Sequence, residues 1–493
     1  MDRTTERLPR SSPEEQGISS AALITFVEEA TQTIDALHSV MLVRHAHVVT
    51  EGWWLPYAAD EPHAVYSISK SFTSTVIGIA AAEGRLSIDD PVLKFSPEQV
   101  PSTASSNLTA MPVRDLLRLT TGRLAEDLGD FPYRDKTDLV KAFLEIPVAY
   151  KPGTQFAYDE PGVYVLSAII QKTTGHTLLD YLRSRLFEPL GISDPTWWAS
   201  SQGISLGASG LSIRTEDIAK FGQLYLQRGH WQGRQLIPSA WVDAATSLQT
   251  PTGSDPNSDW DQGYGYLFWR FRHGFYGGVG LLRQFCIVMP EFDAVIAITS
   301  AVSDPQSLIN LIWNKITPAF KDQALPADAR SYRRLSERLT SLLLKIPAGN
   351  ESSRVAGQVA GIRYRFPDNP QRIEFVEFET VRDGTNAGIV FSVAAHTQRI
   401  EFGKGNWLRR TLSTDCGSLV PMSGYLGGDS GDAIPIASSG AWVSDDTYTA
   451  ILCRYQTAFS STYDMRFAGD ELILERKQAV TERTGWVRLI GKA

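Results

Sequence analysis

The sequence predicts an α+β protein with a second, all-β domain after it. Short apolar strand patterns occur near the start of the chain and again around residues 264–300, so one sheet is expected to collect strands from both ends of the first domain. An unusually apolar helix at residues 71–84 predicts a segment buried inside that domain. After residue 350, evenly spaced alternating segments predict an antiparallel β-barrel of about 140 residues.

Length and composition are those of a folded globular chain. The 493 residues are enough for two or three domains at roughly 150 residues each. Hydrophobic residues make up 43% and charged residues 21%, a balance that excludes a disordered chain. The net charge is -8, with 47 Lys and Arg against 55 Asp and Glu, and the sequence has no long basic run. We therefore expect no nucleic-acid partner.

Cysteine and histidine usage argues against disulfides and metal sites. Cys286, Cys416 and Cys453 lie far apart, so neither a disulfide framework nor a Cys-x-x-Cys zinc site is predicted. The eight histidines lack the spacing of metal ligands, and no cofactor is expected. The first residues lack the apolar core of a signal peptide, and no window approaches about 18 consecutive apolar residues. These features predict a cytoplasmic protein that does not interact with a membrane.

The hydrophobic pattern predicts the elements in order. Residues 37–54 read as a hairpin with a polar turn at 44–47, and the apolar helix at 71–84 ends on Gly84, as helices often do. Further helices are predicted at 113–119, 162–173, 177–186, 215–227, 238–247 and 304–320, and strands in the runs GYGYLFWRF, RQFCIVMP and AVIAITS between residues 263 and 300.

The chain is predicted to divide into three parts. Residues 1–325 form the α+β domain, residues 326–350 a polar helical linker, and residues 351–493 the barrel. The barrel assignment rests on the alternating runs IEFVEFETV, GIVFSVAA, QRIEFG, TYTAILCRY and ELILER.

The strongest chemical signal is Ser67 followed by Lys70 at the head of the apolar helix. At this spacing the amine and the hydroxyl share one helix face, and the amine can reach the hydroxyl. Burial and the positive end of the helix both disfavour a protonated lysine, which predicts a neutral amine able to act as a base. Chance is the alternative, because Ser-x-x-Lys occurs in most chains of this length.

The context of this pair resembles the serine β-lactamase and penicillin-binding-protein superfamily, in particular its class C β-lactamase-like branch of esterases, peptidases and amide hydrolases. The resemblance covers about residues 10–320 and implies a β-lactamase/transpeptidase-like fold, an antiparallel sheet flanked by helices plus an all-helical region. The matching blocks are SISKSFT at 67–73, GRLSIDDPV at 84–92, PVRDLLRLTTG at 112–122, KPGTQFAY at 151–158 and LFEPLGI at 186–192. The C-terminal barrel resembles the lipocalin-like domains of some members.

The second motif of the superfamily is Tyr-x-Asn, and here it reads Tyr158-Asp159-Glu160. The resemblance implies that Tyr158 passes protons to the leaving group. Glu160 replaces the usual asparagine and is expected to lie at the substrate site. A carboxylate near Lys70 favours the protonated lysine, against the neutral amine expected from burial.

The third motif usually begins with Lys or His on an edge strand whose backbone forms half of the oxyanion hole. The equivalent stretch is either Tyr276-Gly277-Gly278 or Gly278-Val279-Gly280, and neither begins with Lys or His. The resemblance implies that Tyr276, Gly277, Gly278 and Gly280 line the substrate site, because glycines allow close backbone approach and amides stabilise an oxyanion. A simple hairpin turn is the alternative.

Together these features predict a metal-free serine hydrolase with Ser67 as nucleophile, Lys70 as base and Tyr158 as proton relay, acting on a small molecule or short peptide. An acyltransferase or peptide cyclase of the same fold is an alternative, and a catalytically silent binding protein is another. Gly-Asp-Ser-Gly-Asp at residues 428–432 resembles the nucleophile loop of chymotrypsin-like proteases. Only His396 precedes it in the barrel, so a turn is expected there.

Overall fold

A computed structural model describes residues 7–34, 36–129, 131, 138–379, 386–421, 433–478 and 486–493. The first domain is built on an antiparallel sheet whose strands come from both ends of that domain, as predicted. The strand order across this sheet is His47–Trp53, Leu37–Arg44, Ala294–Ser300, Gln284–Met289, Tyr276–Gly280 and Trp269–Arg270.

Helices cover both faces of this sheet and form a separate helical region beside it. One buried cluster joins the central helix Ser69–Ala82 to the helical region, and a second lies under the helices Ser20–Thr33 and Pro305–Leu311. The remaining α-helices are Ser106–Thr109, Val113–Leu117, Ala125–Leu128, Leu139–Glu145, Glu160–Thr174, Leu178–Leu182, Glu188–Leu190, Thr215–Leu226, Ser239–Thr246, Ala329–Thr340 and Ala356–Val359.

The central helix Ser69–Ala82 is buried along nearly its whole length. Its hydroxyl groups tolerate this burial because several of them bond to neighbouring segments: Ser71 Oγ donates to the Leu267 carbonyl and Thr73 Oγ1 to the Gly207 carbonyl, each at 2.9 Å. Gly84 follows with φ +70°, which confirms the predicted glycine at the helix end. The helix therefore holds its first turn rigidly inside the domain.

Three predictions in this domain needed correction. The run GYGYLFWRF forms only the short strand Trp269–Arg270, because the amides of Tyr266 and Leu267 donate outside the sheet, to the Ala245 and Leu117 carbonyls, each at 2.9 Å. The helices predicted at 177–186 and 304–320 each widen into a π-helical segment, at Arg183–Phe187 and Ile312–Ile316 respectively.

Two short sheets complete the first domain. One places His63–Ala64 beside Leu211–Ile213 and Thr196–Trp197, and the other pairs His230–Trp231 with Arg234–Gln235. The strand His63–Ala64 lies directly before the turn that carries Ser67.

The segment predicted as a linker is packed on the first domain. Its helix Ala329–Thr340 contacts the helix Ser20–Thr33, and both Leu335 and Leu342 are 1% exposed in the core cluster of that domain. The amide of Leu55 also donates to the Leu342 carbonyl at 3.0 Å. The helix itself is amphipathic, because Leu335 faces the core while its arginines face outwards.

The C-terminal domain is a closed β-barrel, as predicted. Within the described residues, nine strands form the ring, which is closed by the pairing of His396–Gly403 with Ala433–Trp442. A further strand, Leu408–Ser413, pairs with Ala433–Trp442 but is not part of the ring. Aromatic side chains such as Phe378, Trp442 and Phe467 fill the interior. The other ring strands are Arg363–Arg365, Ile373–Phe378, Asn386–Val393, Thr447–Cys453, Ser460–Ala468, Glu471–Gln478 and Trp486–Lys492.

Among the described residues, none of the helices combines the length and apolar character needed to cross a bilayer. All three cysteines are buried and free.

Candidate active site

Ser67 lies in a 3-10 turn, Tyr66–Ile68, that leads directly into the central helix. Ser67 is partly exposed, whereas Lys70, one turn further on, is 1% exposed. The Lys70 Nζ atom lies 2.8 Å from Ser67 Oγ. The predicted spacing therefore brings the amine and the hydroxyl into hydrogen-bond contact.

The Lys70 amine is surrounded by acceptors that favour its charged form. Besides Ser67 Oγ, it lies 2.9 Å from Glu160 Oε1 and 2.9 Å from the Ala208 carbonyl oxygen. An ammonium group has three protons to donate, and three acceptors are in place for them. Burial lowers the pKa of Lys70, but the charge of Glu160 and the Tyr158 side chain outweigh it, and the pKa is raised.

The contact with Glu160 favours the charged lysine, as expected from the Glu160 substitution, over the neutral amine expected from burial. Burial alone disfavours an ammonium, but a carboxylate in direct contact compensates for the lost hydration. The pair carries no net charge, because the ammonium of Lys70 balances the carboxylate of Glu160.

Tyr158 also lies beside the Lys70 amine. The Lys70 Nζ atom lies 4.7 Å from the centre of the Tyr158 ring, and that tyrosine is 36% exposed. Ser67, Lys70, Tyr158 and Glu160 thus form one contiguous group, partly open to solvent.

Asp159 fixes the backbone between Tyr158 and Glu160. It is fully buried and caps the helix Glu160–Thr174, where its side chain accepts a hydrogen bond from the Gly162 amide at 2.7 Å. The Thr121 hydroxyl donates to the other carboxylate oxygen. Burial raises the pKa of Asp159, against the opposing charge of Arg123. Because this cap sets where the helix begins, it also sets where the two flanking side chains point.

The strand Tyr276–Gly280 packs against the Ser67 turn and the start of the central helix. A Cβ at Gly278 would lie 3.0 Å from Ser71 Oγ, and one at Gly280 would lie 2.3 Å from the Val65 carbonyl oxygen. A side chain at Gly280 would clash with backbone, and one at Gly278 would require the Ser71 hydroxyl to shift by a few tenths of an ångström. The antiparallel register pairs Gly278 with Cys286 and Gly280 with Gln284.

Tyr276 and Gly277 have different surroundings. Tyr276 is 8% exposed, and its hydroxyl donates to the Tyr225 carbonyl at 3.2 Å, inside the domain. A Cβ at Gly277 would meet the Cys286 carbonyl at 1.9 Å, on the neighbouring strand. Of the four strand residues predicted to line the site, Gly278 and Gly280 are therefore the two packed against residues 65–71.

An aromatic group beside Tyr158 was not foreseen from the sequence. The Trp269 ring stacks on Tyr158 with centroids 6.2 Å apart, and Trp260, Tyr264 and Phe156 surround Trp269. The aromatic residues of the run GYGYLFWRF are the sequence feature that could have indicated this group, although the run also fits a strand pattern. The Ala208 carbonyl, which binds Lys70, gave no side-chain signal at all.

Two other predictions bear on the site. In the part of the chain that the structure describes, no group of His, Cys, Asp and Glu side chains is arranged to hold a metal ion. Residues 428–432, the rival nucleophile motif, lie outside the described residues, and His396 forms an exposed contact of 3.3 Å with Asp415.

Two proteins of known name are similar in sequence to this chain. A 6-aminohexanoate-dimer hydrolase of Paenarthrobacter ureafaciens is 24% identical over 322 residues, 60% of this chain and 81% of the relative. A beta-lactamase of Escherichia coli K12 is 28% identical over 210 residues, 37% of this chain and 54% of the relative.

Among solved structures, EstCE1, described as a hydrolase with promiscuous acyltransferase activity, has the same fold. It superposes with a TM-score of 0.51 at 14% identity, covering 60% of this chain and 99% of that protein. The family described as Beta-lactamase matches residues 14–313, more than half of the sequence. The chain therefore belongs to the beta-lactamase family of hydrolases, with a β-barrel domain appended.

Proposed function

We propose that this chain is a serine hydrolase that cleaves ester or amide bonds through an acyl-enzyme on Ser67. The observation that carries the proposal is the 2.8 Å contact between Ser67 Oγ and Lys70 Nζ, with the centre of the Tyr158 ring 4.7 Å from the same amine. A serine hydroxyl is a weak nucleophile, and an adjacent group that takes its proton activates it.

Lys70 acts as the base together with Glu160. As Ser67 Oγ bonds to the carbonyl carbon, its proton passes to Lys70 Nζ, and one of the protons already on Nζ passes to Glu160 Oε1, 2.9 Å away. The lysine stays an ammonium, the carboxylate becomes neutral, and the carbonyl π electrons move to the oxygen. This shift explains how a lysine with a raised pKa still receives the serine proton.

The oxyanion formed in this step needs hydrogen-bond donors that stabilise its negative charge. The Ser67 amide and a backbone amide at the end of the strand Tyr276–Gly280 are the candidates, supported by the close packing of Gly278 and Gly280 on residues 65–71. Loss of one such donor typically costs roughly 10²–10³ in kcat.

Tyr158 is assigned to the leaving group. Its hydroxyl donates a proton as the bond to the leaving alcohol or amine breaks, and the proton held by Glu160 then passes through Lys70 to the Tyr158 oxygen, which restores the tyrosine. Water then attacks the acyl-enzyme by the same steps in reverse. The partial exposure of Tyr158 supports access for both the leaving group and water.

The substrate class follows from the charge and surface of the site. The Lys70–Glu160 pair is neutral overall, and the aromatic group around Trp269 offers an apolar wall beside Tyr158. Both features favour an uncharged acyl group. One relative is named for hydrolysis of a 6-aminohexanoate dimer, whose acyl part carries an ammonium group, so this compound tests the preference for an uncharged acyl group.

The test is mass spectrometry of the intact protein after incubation with a fluorophosphonate and with a panel of short esters, amides, penicillins and the 6-aminohexanoate dimer. We expect a covalent adduct that maps to Ser67 and is absent from Ser67→Ala. No adduct and no turnover would instead support a silent binding protein. Added amine that appears in the product would identify an acyltransferase or peptide cyclase.

A further inference from the structure

Tyr66, the residue before Ser67, has a backbone conformation that its neighbours must hold in place. Its φ is +47°, in the left-handed region that side chains other than glycine seldom adopt. The side chain is 1% exposed, so it is anchored by what surrounds it. Whatever holds this side chain also determines the direction in which the Ser67 amide and hydroxyl point.

The anchor comes from the C-terminal barrel. Residues 454–459 form the turn between the barrel strands Thr447–Cys453 and Ser460–Ala468, and we call them the barrel turn. The Ala458 amide donates to the Tyr66 hydroxyl at 3.0 Å, and the Phe459 ring meets the Tyr66 ring edge to face at 6.1 Å.

The barrel turn also joins the backbone just before Tyr66. The Ala64 amide donates to the Gln456 carbonyl at 2.9 Å, and the Tyr57 hydroxyl donates to the Thr457 carbonyl at 2.9 Å. The strand His63–Ala64 has its other neighbour in Leu211–Ile213. The barrel turn thus forms a backbone hydrogen bond with the edge strand of the small sheet that leads into the Ser67 turn.

The barrel turn also packs next to the strand Tyr276–Gly280, which is predicted to form half of the oxyanion hole. Ala458 and Phe459 form one buried cluster with Tyr66 and with Leu282, which follows the strand Tyr276–Gly280 by two residues. At the rim, Glu61 accepts hydrogen bonds from Gln456 Nε2 at 2.8 Å and from Arg409 at 2.7 Å.

We propose that the barrel turn is a structural part of the active site, and that Tyr66 is a positioning residue through which the barrel fixes Ser67. This inference rests on the proposed function for its catalytic consequence. That the barrel turn immobilises the Ser67 turn does not depend on the proposed function. The barrel would then be required for turnover even though it supplies none of the reacting groups.

The test compares two conservative variants of the full-length protein. Tyr66→Phe removes the acceptor for the Ala458 amide. Tyr463→Phe is the matched control, because that tyrosine is equally buried and donates one hydrogen bond, of 2.6 Å, to the Leu419 carbonyl inside the barrel. Both variants lose a buried hydroxyl and its hydrogen bonds, but only the first is next to Ser67.

We expect Tyr66→Phe to lower kcat and the rate of fluorophosphonate labelling by about tenfold or more with little change in KM, since misplacement of a reacting group is costly. Tyr463→Phe should keep both rates, whatever its melting temperature. Equal losses in the two variants, or none in Tyr66→Phe, would overturn the inference.

Hydrogen–deuterium exchange gives a second readout that does not depend on activity. In Tyr66→Phe, exchange should rise in the peptides that contain residues 63–72 and 454–460, and in Tyr463→Phe it should not rise there. If wild type is neither labelled nor active on any substrate, the proposed function fails. The inference about the barrel turn is still tested by exchange, and unchanged exchange in Tyr66→Phe overturns it.

Should Tyr66→Phe fail to fold, Glu61→Ala is the second variant. It removes the acceptor of Arg409 and Gln456 at the rim without touching Tyr66. We expect increased exchange in residues 63–72 and a lower kcat at unchanged KM. Exchange and kcat like those of wild type would contradict the role of the barrel turn.

Discussion

Lys70 and Glu160 form an ion pair across the base of the site, with 2.9 Å between Nζ and Oε1, in which the lysine side chain is 1% exposed and the glutamate side chain 30%. This asymmetry matters for proton transfer. The lysine touches the serine but not water, whereas the carboxylate touches both the lysine and solvent. In the proposed mechanism, Glu160 is therefore the member of the pair that exchanges protons with water between turnovers.

Ser67→Ala should abolish turnover and leave the fold intact. The serine is partly exposed at the start of the central helix, so removal of its hydroxyl costs little packing. Ester hydrolysis and the melting temperature are the two measurements. Activity at the wild-type level in this variant would rule out Ser67 as the nucleophile.

Lys70→Ala should reduce the rate nearly as much, by roughly 10²–10⁴-fold, which is the usual contribution of a positioned acid or base. This variant should also be less stable than Ser67→Ala, because it empties a fully buried position and leaves the Glu160 carboxylate without its counter-ion. Retention of more than about a tenth of the wild-type rate would contradict the assignment of a lysine base.

The parts of this structure that the sequence predicted depend on local patterns. The Ser67–Lys70 contact follows from helical spacing, and the hairpin Leu37–Arg44 with His47–Trp53 follows from alternating apolar residues around a polar turn. The barrel strands were predictable for the same reason, because each has its own alternation of buried and exposed positions.

The parts that escaped prediction depend on contacts between distant segments. Tyr66 and Ala458 are 392 residues apart, and no local pattern at either position indicates that they meet. The protonation state of Lys70 depended on whether Glu160 touched it, which spacing alone does not determine. Burial and a neighbouring carboxylate act in opposite directions on the lysine, and only the 2.9 Å contact decides between them.

The contact between the barrel turn and the first domain should weaken in acid. His38 Nδ1 lies 3.2 Å from His63 Nε2, and Tyr57, which donates to the Thr457 carbonyl, stacks on His38. Burial lowers the pKa of His63 from 6.5 to about 4, although hydrogen bonds with the backbone of Ala64 and Thr457 act in the opposite direction. Burial and the charge of His63 also lower the pKa of His38.

A histidine whose pKa is lowered on folding stabilises the fold above its unfolded pKa, and this contribution is lost as the pH falls towards the folded pKa. For His63 the free energy of unfolding should therefore drop by about 2 kcal/mol between pH 7 and pH 5. Urea unfolding at both pH values measures it. His63→Phe should reduce the drop, whereas His176→Gln, at an exposed histidine, should leave it as in wild type. Equal drops in all three proteins would contradict the assignment.

The last prediction concerns the hydrogen-bond character of Glu160. Its carboxylate accepts from Lys70 and cannot donate to the carbonyl of an amide substrate, whereas the asparagine usual in this motif can. We therefore expect wild type to hydrolyse short esters better than penicillins. Glu160→Asn should raise acylation by penicillins relative to short esters, measured as the ratio of the two kcat/KM values.

Glu160→Ala is the control for this prediction, because it removes the acceptor without adding a donor. Both Glu160 variants lose the ion pair with Lys70, so both allow burial to lower the pKa of the lysine and both change the basal rate. Only the asparagine adds an N–H that favours the amide carbonyl of a β-lactam over an ester. A penicillin-to-ester ratio that rises equally in the two variants would trace the effect to charge, and a ratio unchanged in Glu160→Asn would remove Glu160 from the determinants of specificity.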